Sequence, residues 1–210
     1  MDKLVIEGGH RLAGVVEVSG AKNAALPILA ATVLTKEKSV IKNVPQVADI
    51  LTMVKILKAL GARVSMAGDT VEIDPSGIRN PELTYKLVST MRGSICFLGP
   101  FLGRFGQAKI SFPGGCVIGP RPIDLHLKGV RALGAEVNLD HGYVVAKVKQ
   151  LKGTRLYLGG SFGSSVLGTA NVMMAATLAK GRTVIDSAAC EPEVVDLGHM
   201  LRKMGAKIEG

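Results

Sequence analysis

Apolar and polar positions alternate at the start of the chain, over Lys3–Glu7 and Gly14–Ser19, which predicts two strands. The pattern then changes period. Ala24–Leu34 reads as a buried helix, Val40–Asn43 as a short strand, and Gln46–Leu60 as an amphipathic helix with Val47, Ile50, Leu51, Val54, Leu57 and Leu60 on one side. Gly61 follows as a C-terminal cap, and a hairpin closes through Val64–Met66 and Thr70–Ile73 across Ala67-Gly68-Asp69.

This order recurs. A helix ending in Leu/Met-Gly-Ala, then a charged residue, then Val or Ile, appears as Leu60-Gly61-Ala62-Arg63-Val64, Leu133-Gly134-Ala135-Glu136-Val137 and Met204-Gly205-Ala206-Lys207-Ile208. An apolar helix and a short strand precede each copy: Ala24–Leu34 with Val40–Asn43, Lys86–Leu102 with Lys109–Phe112, and Thr169–Ala179 with Arg182–Asp186. A strand over Tyr143–Val148 closes the second copy as Thr70–Ile73 closes the first; the chain reaches Gly210 before a third can close. Internal repeats of this length mean an α/β fold of three βαβαββ-like units around a pseudo-threefold axis, with helices rich in Ala, Gly and Met inside.

Composition narrows the function. The chain is 47% hydrophobic but only 4% aromatic, with no Trp, so its core is built from small and aliphatic side chains. Net charge is +9, yet Lys and Arg are scattered and aromatics for base stacking are scarce. That favours an anionic small molecule over nucleic acid as partner. Three widely spaced cysteines, Cys96, Cys116 and Cys190, show no metal-binding spacing and fit a reducing compartment. The longest apolar run, Ala24–Leu34, is shorter than the roughly 20 residues a bilayer span needs, and the N-terminus lacks a signal-peptide core. A cytoplasmic location and no membrane partner are expected.

The candidate chemistry centres on Phe112–Leu125, where three glycines and three prolines exclude a helix or central strand. Cys116 sits in this loop with Arg121 five residues on, and a thiol beside a fixed cation ionises more readily. Lys22-Asn23 lies at a helix start, where backbone N–H groups attract anions; a solvated lysine is the alternative. Arg92 stands in the apolar run Leu87–Leu98 and must reach water, a carboxylate or a ligand. Asp124 begins a helix over Ile123–Leu133, as a helix-capping carboxylate or a group that reads a ligand. His126 and His199 are read as structural, Cys96 and Cys190 as inert, and Glu191-Pro192-Glu193 as a helix start. The Gly/Ser-rich Leu158–Gly168 is a lid or a plain connector.

Four stretches together carry a resemblance: Gly20-Ala21-Lys22-Asn23-Ala24-Ala25-Leu26-Pro27, Thr90-Met91-Arg92, Pro113–Leu125 and Glu191-Pro192-Glu193-Val194-Val195-Asp196. The chain resembles the enolpyruvyl transferases, and among them those acting on UDP-N-acetylglucosamine. The resemblance implies transfer of the enolpyruvyl group of phosphoenolpyruvate to the 3-hydroxyl of UDP-N-acetylglucosamine, with release of phosphate, at the first committed step of peptidoglycan synthesis. It implies no metal or organic cofactor, and two domains, each an inside-out α/β barrel of three βαβαββ units. Residues 1–20 would be two strands of the partner domain and residues 21–210 the cysteine-loop domain, its third unit truncated. Lys22 and Arg121 would bind phosphate, with Asn23 at the same site; Arg92 would contact substrate. Cys116 would be the general acid, and Arg121, Pro122, Ile123, Asp124 and Leu125 would line the nucleotide-sugar pocket. A second half carrying a general-base aspartate would complete the site. The stretch Ser164-Ser165-Val166-Leu167-Gly168 departs from the expected pattern of a further sugar loop. A transferase acting on shikimate 3-phosphate and a non-catalytic binding module are the rival readings.

Overall fold

The computed structural model describes residues 3–89, 91–112, 122–161 and 163–210. The first unit runs α1 (Lys22–Ala31), β1 (Ser39–Ile41), α2 (Ala48–Ala59), β2 (Arg63–Ala67) and β3 (Thr70–Asp74). Its sheet is ordered β1-β3-β2, antiparallel throughout. The second unit runs β4 (Glu82–Leu83), α3 (Tyr85–Val88), a 3-10 helix (Arg92–Phe97), α4 (Leu98–Phe105), β5 (Gln107–Ser111), α5 (Asp124–Ala132), β6 (Glu136–Asp140) and β7 (Tyr143–Lys147). Here the order is β4-β5-β7-β6, with β4 parallel to β5. The third unit holds β8 (Arg155–Tyr157), β9 (Gly159–Gly160), β10 (Gly163–Ser164), α6 (Val166–Ala176), β11 (Val184–Asp186) and α7 (Pro192–Lys203), with β11 parallel to β8.

Laid over one another, the three sheets follow one plan. The first strand pairs parallel with the second, in β4–β5 and β8–β11; the fourth pairs antiparallel with the second, in β1–β3 and β5–β7. The repeat is thus a structural one. Gly61, Gly134 and Gly205 take φ of +104, +97 and +101, values that disfavour any residue with a Cβ. At each, the glycine N–H and the next alanine N–H bond back into the helix: Gly61 to Lys58 and Ala62 to Leu57, Gly134 to Arg131 and Ala135 to Val130, Gly205 to Arg202 and Ala206 to Leu201. These bonds satisfy carbonyls a helix end otherwise leaves open.

Helices form the inside. α6 buries Gly168, Thr169, Ala170, Asn171, Val172, Met174 and Ala175, nearly its whole circumference. It packs on α4, α5 and α7, while α1 packs on α2, α7 and the 3-10 helix. Strands lie outside and bury one face, as in β3, where Val71 and Ile73 are buried and Glu72 is exposed.

Several expectations are corrected. The helix expected over Lys86–Leu102 is divided into α3, the 3-10 helix and α4. Gly93 and Gly99 weaken a continuous helix, and Pro100, which lacks an N–H, fits only in the first turn of a new one. The segments Lys3–Glu7 and Gly14–Ser19 have no ladder partner among the described residues, and alternation makes a strand only when it has one. Leu4, Ile6, Val15, Val16 and Val18 are exposed there. Leu158–Gly168 holds the β9–β10 pair and the start of α6, whose N-cap Ser165 accepts from Gly168 N–H; Phe162 lies outside the described residues.

Candidate active site

Lys22 opens α1, entering from Gly20, where a Cβ would lie 1.8 Å from the Asn43 carbonyl oxygen. The N-cap is Ala21, which offers no side-chain acceptor to the first turn. Lys22 Nζ donates to Asp49 Oδ2 at 2.8 Å, and Asp49 lies in the first turn of α2. Two helix N-termini therefore meet across this pair. Both side chains are partly exposed, and an ion pair of that kind is worth about 0–1 kcal/mol. Asn23, next in α1, is exposed beside it.

One turn on from Lys22, Leu26 reaches Gly93, where a Cβ would come within 3.1 Å of Leu26 Cδ1. This contact seats α1 against the 3-10 helix that Arg92 begins. Arg92 is half-buried. It acts electrostatically on His126 of α5, and so does Asp124, with opposite sign. Arg92 and Asp124 therefore both lie near His126, and α1, which Lys22 opens, packs on the 3-10 helix that Arg92 begins.

Asp124 is the first residue of α5 and exposed; Pro122 is exposed, Ile123 buried. Leu125, half-buried, packs beside Gly160 of β9, where a Cβ would lie 3.2 Å from Leu125 Cδ1. Cys116 and Arg121, with the rest of Pro113–Arg121, and Thr90 of the Thr90-Met91-Arg92 motif lie outside the described residues. The described chain leading into that loop is β5, ending at Ser111, and the chain leaving it is α5.

The other two cysteines differ. Cys96 is fully buried, and burial pushes its thiol up to about 12, so it is unreactive as expected. Cys190 is exposed, its Sγ donating to the Ala188 carbonyl at 3.5 Å. Among the described residues, no three His, Cys, Asp or Glu side chains are placed to hold a metal ion, and no helix is long and apolar enough to cross a membrane. Sequence reasoning missed two residues here. Asp49 carried no signal beyond a carboxylate in a first helical turn. Asn171, wholly buried in an Ala/Met-rich helix, was marked only by being polar in an apolar run.

A family model described as EPSP synthase (3-phosphoshikimate 1-carboxyvinyltransferase) matches residues 6–210. The chain belongs to this family. Two curated relatives named UDP-N-acetylglucosamine 1-carboxyvinyltransferase, from Geotalea uraniireducens and Methylacidiphilum infernorum, are 56% and 55% identical over 210 residues, which is 100% of this chain and 50% of each relative. The chain spans about half the length of the curated relatives it matches. Among solved structures, the enolpyruvyl transferase NikO from Streptomyces tendae superposes with a TM-score of 0.82 at 24% identity, over 97% of this chain and 47% of that one. An EPSP synthase from Acinetobacter baumannii gives 0.74 at 16% identity, over 94% and 45%. The expected enolpyruvyl transferase-like α/β fold is borne out by these neighbours.

Proposed function

We propose that this chain is the Cys116-bearing half of an enzyme that moves the enolpyruvyl group of phosphoenolpyruvate onto the 3-hydroxyl of UDP-N-acetylglucosamine, releasing phosphate and opening peptidoglycan synthesis in a bacterial cytoplasm. The observation that carries this reading is identity of 53–56% along the whole chain to relatives bearing that name. The proximity of Arg92 and Asp124 to His126, and of Lys22 to a second helix N-terminus, supports it. The family model's description names the shikimate enzyme, but the solved EPSP synthase is only 16% identical.

In this reading Lys22 and Arg121 hold the phosphate of phosphoenolpyruvate, with Asn23 alongside. Lys22 leaves Asp49 to do so. Arg92 faces substrate negative charge, and Arg121, Pro122, Ile123, Asp124 and Leu125 form the wall against the nucleotide sugar. Cys116 donates a proton to the methylene carbon, and cationic character grows at C2 as the sugar 3-hydroxyl attacks it. Held cations keep the anionic ends in place while the acid stands over the reacting carbon. The second half supplies the base that takes the hydroxyl proton; the C2–O bond to phosphate then breaks as a proton leaves the C3 methyl, which restores the C=C bond and frees phosphate. No resident metal or organic cofactor takes part. Residues 1–20 are read as two strands that pair with that second half, which gives the exposed Leu4, Ile6, Val16 and Val18 something to cover them. Residues 21–210 form the cysteine-loop domain.

The test is phosphate release from phosphoenolpyruvate with UDP-N-acetylglucosamine and, in parallel, with shikimate 3-phosphate, with the second half supplied. Turnover with the nucleotide sugar supports the reading; turnover only with shikimate 3-phosphate, or with neither, sinks it. An epoxide phosphonate alkylates Cys116 ahead of exposed Cys190 and leaves Cys96 untouched. Peptide mapping that finds Cys190 labelled as fast as Cys116 overturns the assignment of the acid.

A further inference from the structure

We propose that Asn171 and His126 are a positioning pair, which fixes Arg92 and Asp124 relative to each other from inside the core; the functional meaning rests on the reading just given. Asn171 is on α6 of the third unit and is wholly buried. Its Oδ1 accepts from Gly99 N–H at 2.8 Å, and its Nδ2 donates to the Ile95 carbonyl at 2.9 Å. A backbone N–H only donates and a carbonyl only accepts, so the amide has one satisfactory orientation. Its remaining Nδ2 proton then faces His126 Nδ1, 2.8 Å away. That nitrogen must accept, which places the imidazole proton on Nε2.

Filling a gap between helices explains the bonds to Ile95 and Gly99. It does not require the third partner to be an imidazole between two site residues. Ile95 is three residues after Arg92 on the 3-10 helix, and His126 is two after Asp124 on α5. One amide from the third unit therefore ties together the two elements of the second unit that carry those side chains. The approach is close: a Cβ on Gly99 would lie 2.2 Å from the Asn171 carbonyl oxygen, and one on Gly129 of α5 would lie 2.1 Å from Val172 Cγ2. Neither helix can drift inward, and the three hydrogen bonds oppose drift outward. Burial, then Arg92, push the imidazole down to about 4, with Asp124 opposing, so at neutral pH it stays an uncharged acceptor.

Two measurements test this, and only one depends on the activity. In the chain itself, nitrogen-15 spectra of the four histidines, with His126 assigned by its loss in His126→Gln, should show a neutral Nε2–H form held from pH 8 to pH 5. A Nδ1–H form, or titration near the ordinary value, overturns the proposal. In the enzyme carrying both halves, His126→Leu should raise KM for the nucleotide sugar about tenfold with little change in kcat, as a lost positioning contact does. His126→Gln, whose amide oxygen can accept from Asn171, should recover most of that loss. Equal KM in wild type and both variants, or a KM rise that Gln does not rescue, makes the pair core filling only. If the wild type shows no turnover, the functional reading fails while the tautomer measurement still decides the pair.

Discussion

The second and third units share one plan but differ in how far it is filled. In the second unit β5 lies between β4 and β7, and Ala108, Ile110, Val144 and Ala146 are buried. In the third, β11 pairs with β8 alone among the described residues, and Val184, Ile185 and Asp186 are all half-buried. Beside β11 and α7 lies a groove of about 880 Å³, lined by Met173, Ile185, Val194, Val195 and Ile208 among others. Thr183, also on its wall, has a buried hydroxyl with no partner among the described residues. The difference teaches that the local pattern sets which face of a strand is apolar, while the neighbouring strand decides whether that face leaves water.

Three measurements sharpen or break this comparison. The largest effect is in core truncation. Ile110→Ala, at a fully buried position, should cost about 2–5 kcal/mol by denaturant unfolding, and Ile185→Ala less than half as much. Equal losses would mean that the groove does not weaken the third unit. Next is hydrogen exchange. The amide of Ile185, on a strand with one partner among the described residues, should exchange about tenfold or more faster than that of Ile110, on a strand paired on both sides. Comparable protection would sink the contrast.

The smallest effect concerns pH. Asp74 ends the first unit's β3, accepts from Arg63 at 2.6 Å and from Ser76 N–H at 3.0 Å, and its carboxyl is held well below the usual range, first by Arg63. Asp186 ends the third unit's β11 and is lowered by Arg155. A depressed folded value gives stability that is present above the unfolded pKa, about 4, and is lost as pH falls toward the folded one. Melting temperature should therefore fall below about pH 4, less so in Asp74→Asn. Asp186→Asn should change that slope less, because its carboxylate is more exposed and has no backbone donor among the described residues. A steeper slope in Asp74→Asn would contradict the assignment.

The site divides along the same line. Lys22 and Asp124 were legible as residues at helix starts because those signals are local. The Lys22–Asp49 pair joins residues 27 apart, and Asn171 meets His126 across 45 and Ile95 across 76, so no spacing rule announces them. Arg104 was overlooked for the same reason; it donates to the carbonyls of Val33, Thr35 and Pro75, bracing the first unit against α4.

By itself the sequence determined what short stretches of backbone demand. Gly61, Gly134 and Gly205 end helices because only glycine takes that φ cheaply, and Pro192 opens α7 because a first turn does not need its missing N–H. Only the tertiary structure decided which apolar faces are covered and which polar groups meet. The amide that meets His126 and the carboxylate that meets Lys22 both come from distant chain, and burial and hydrogen bonding depend on the atoms that arrive there.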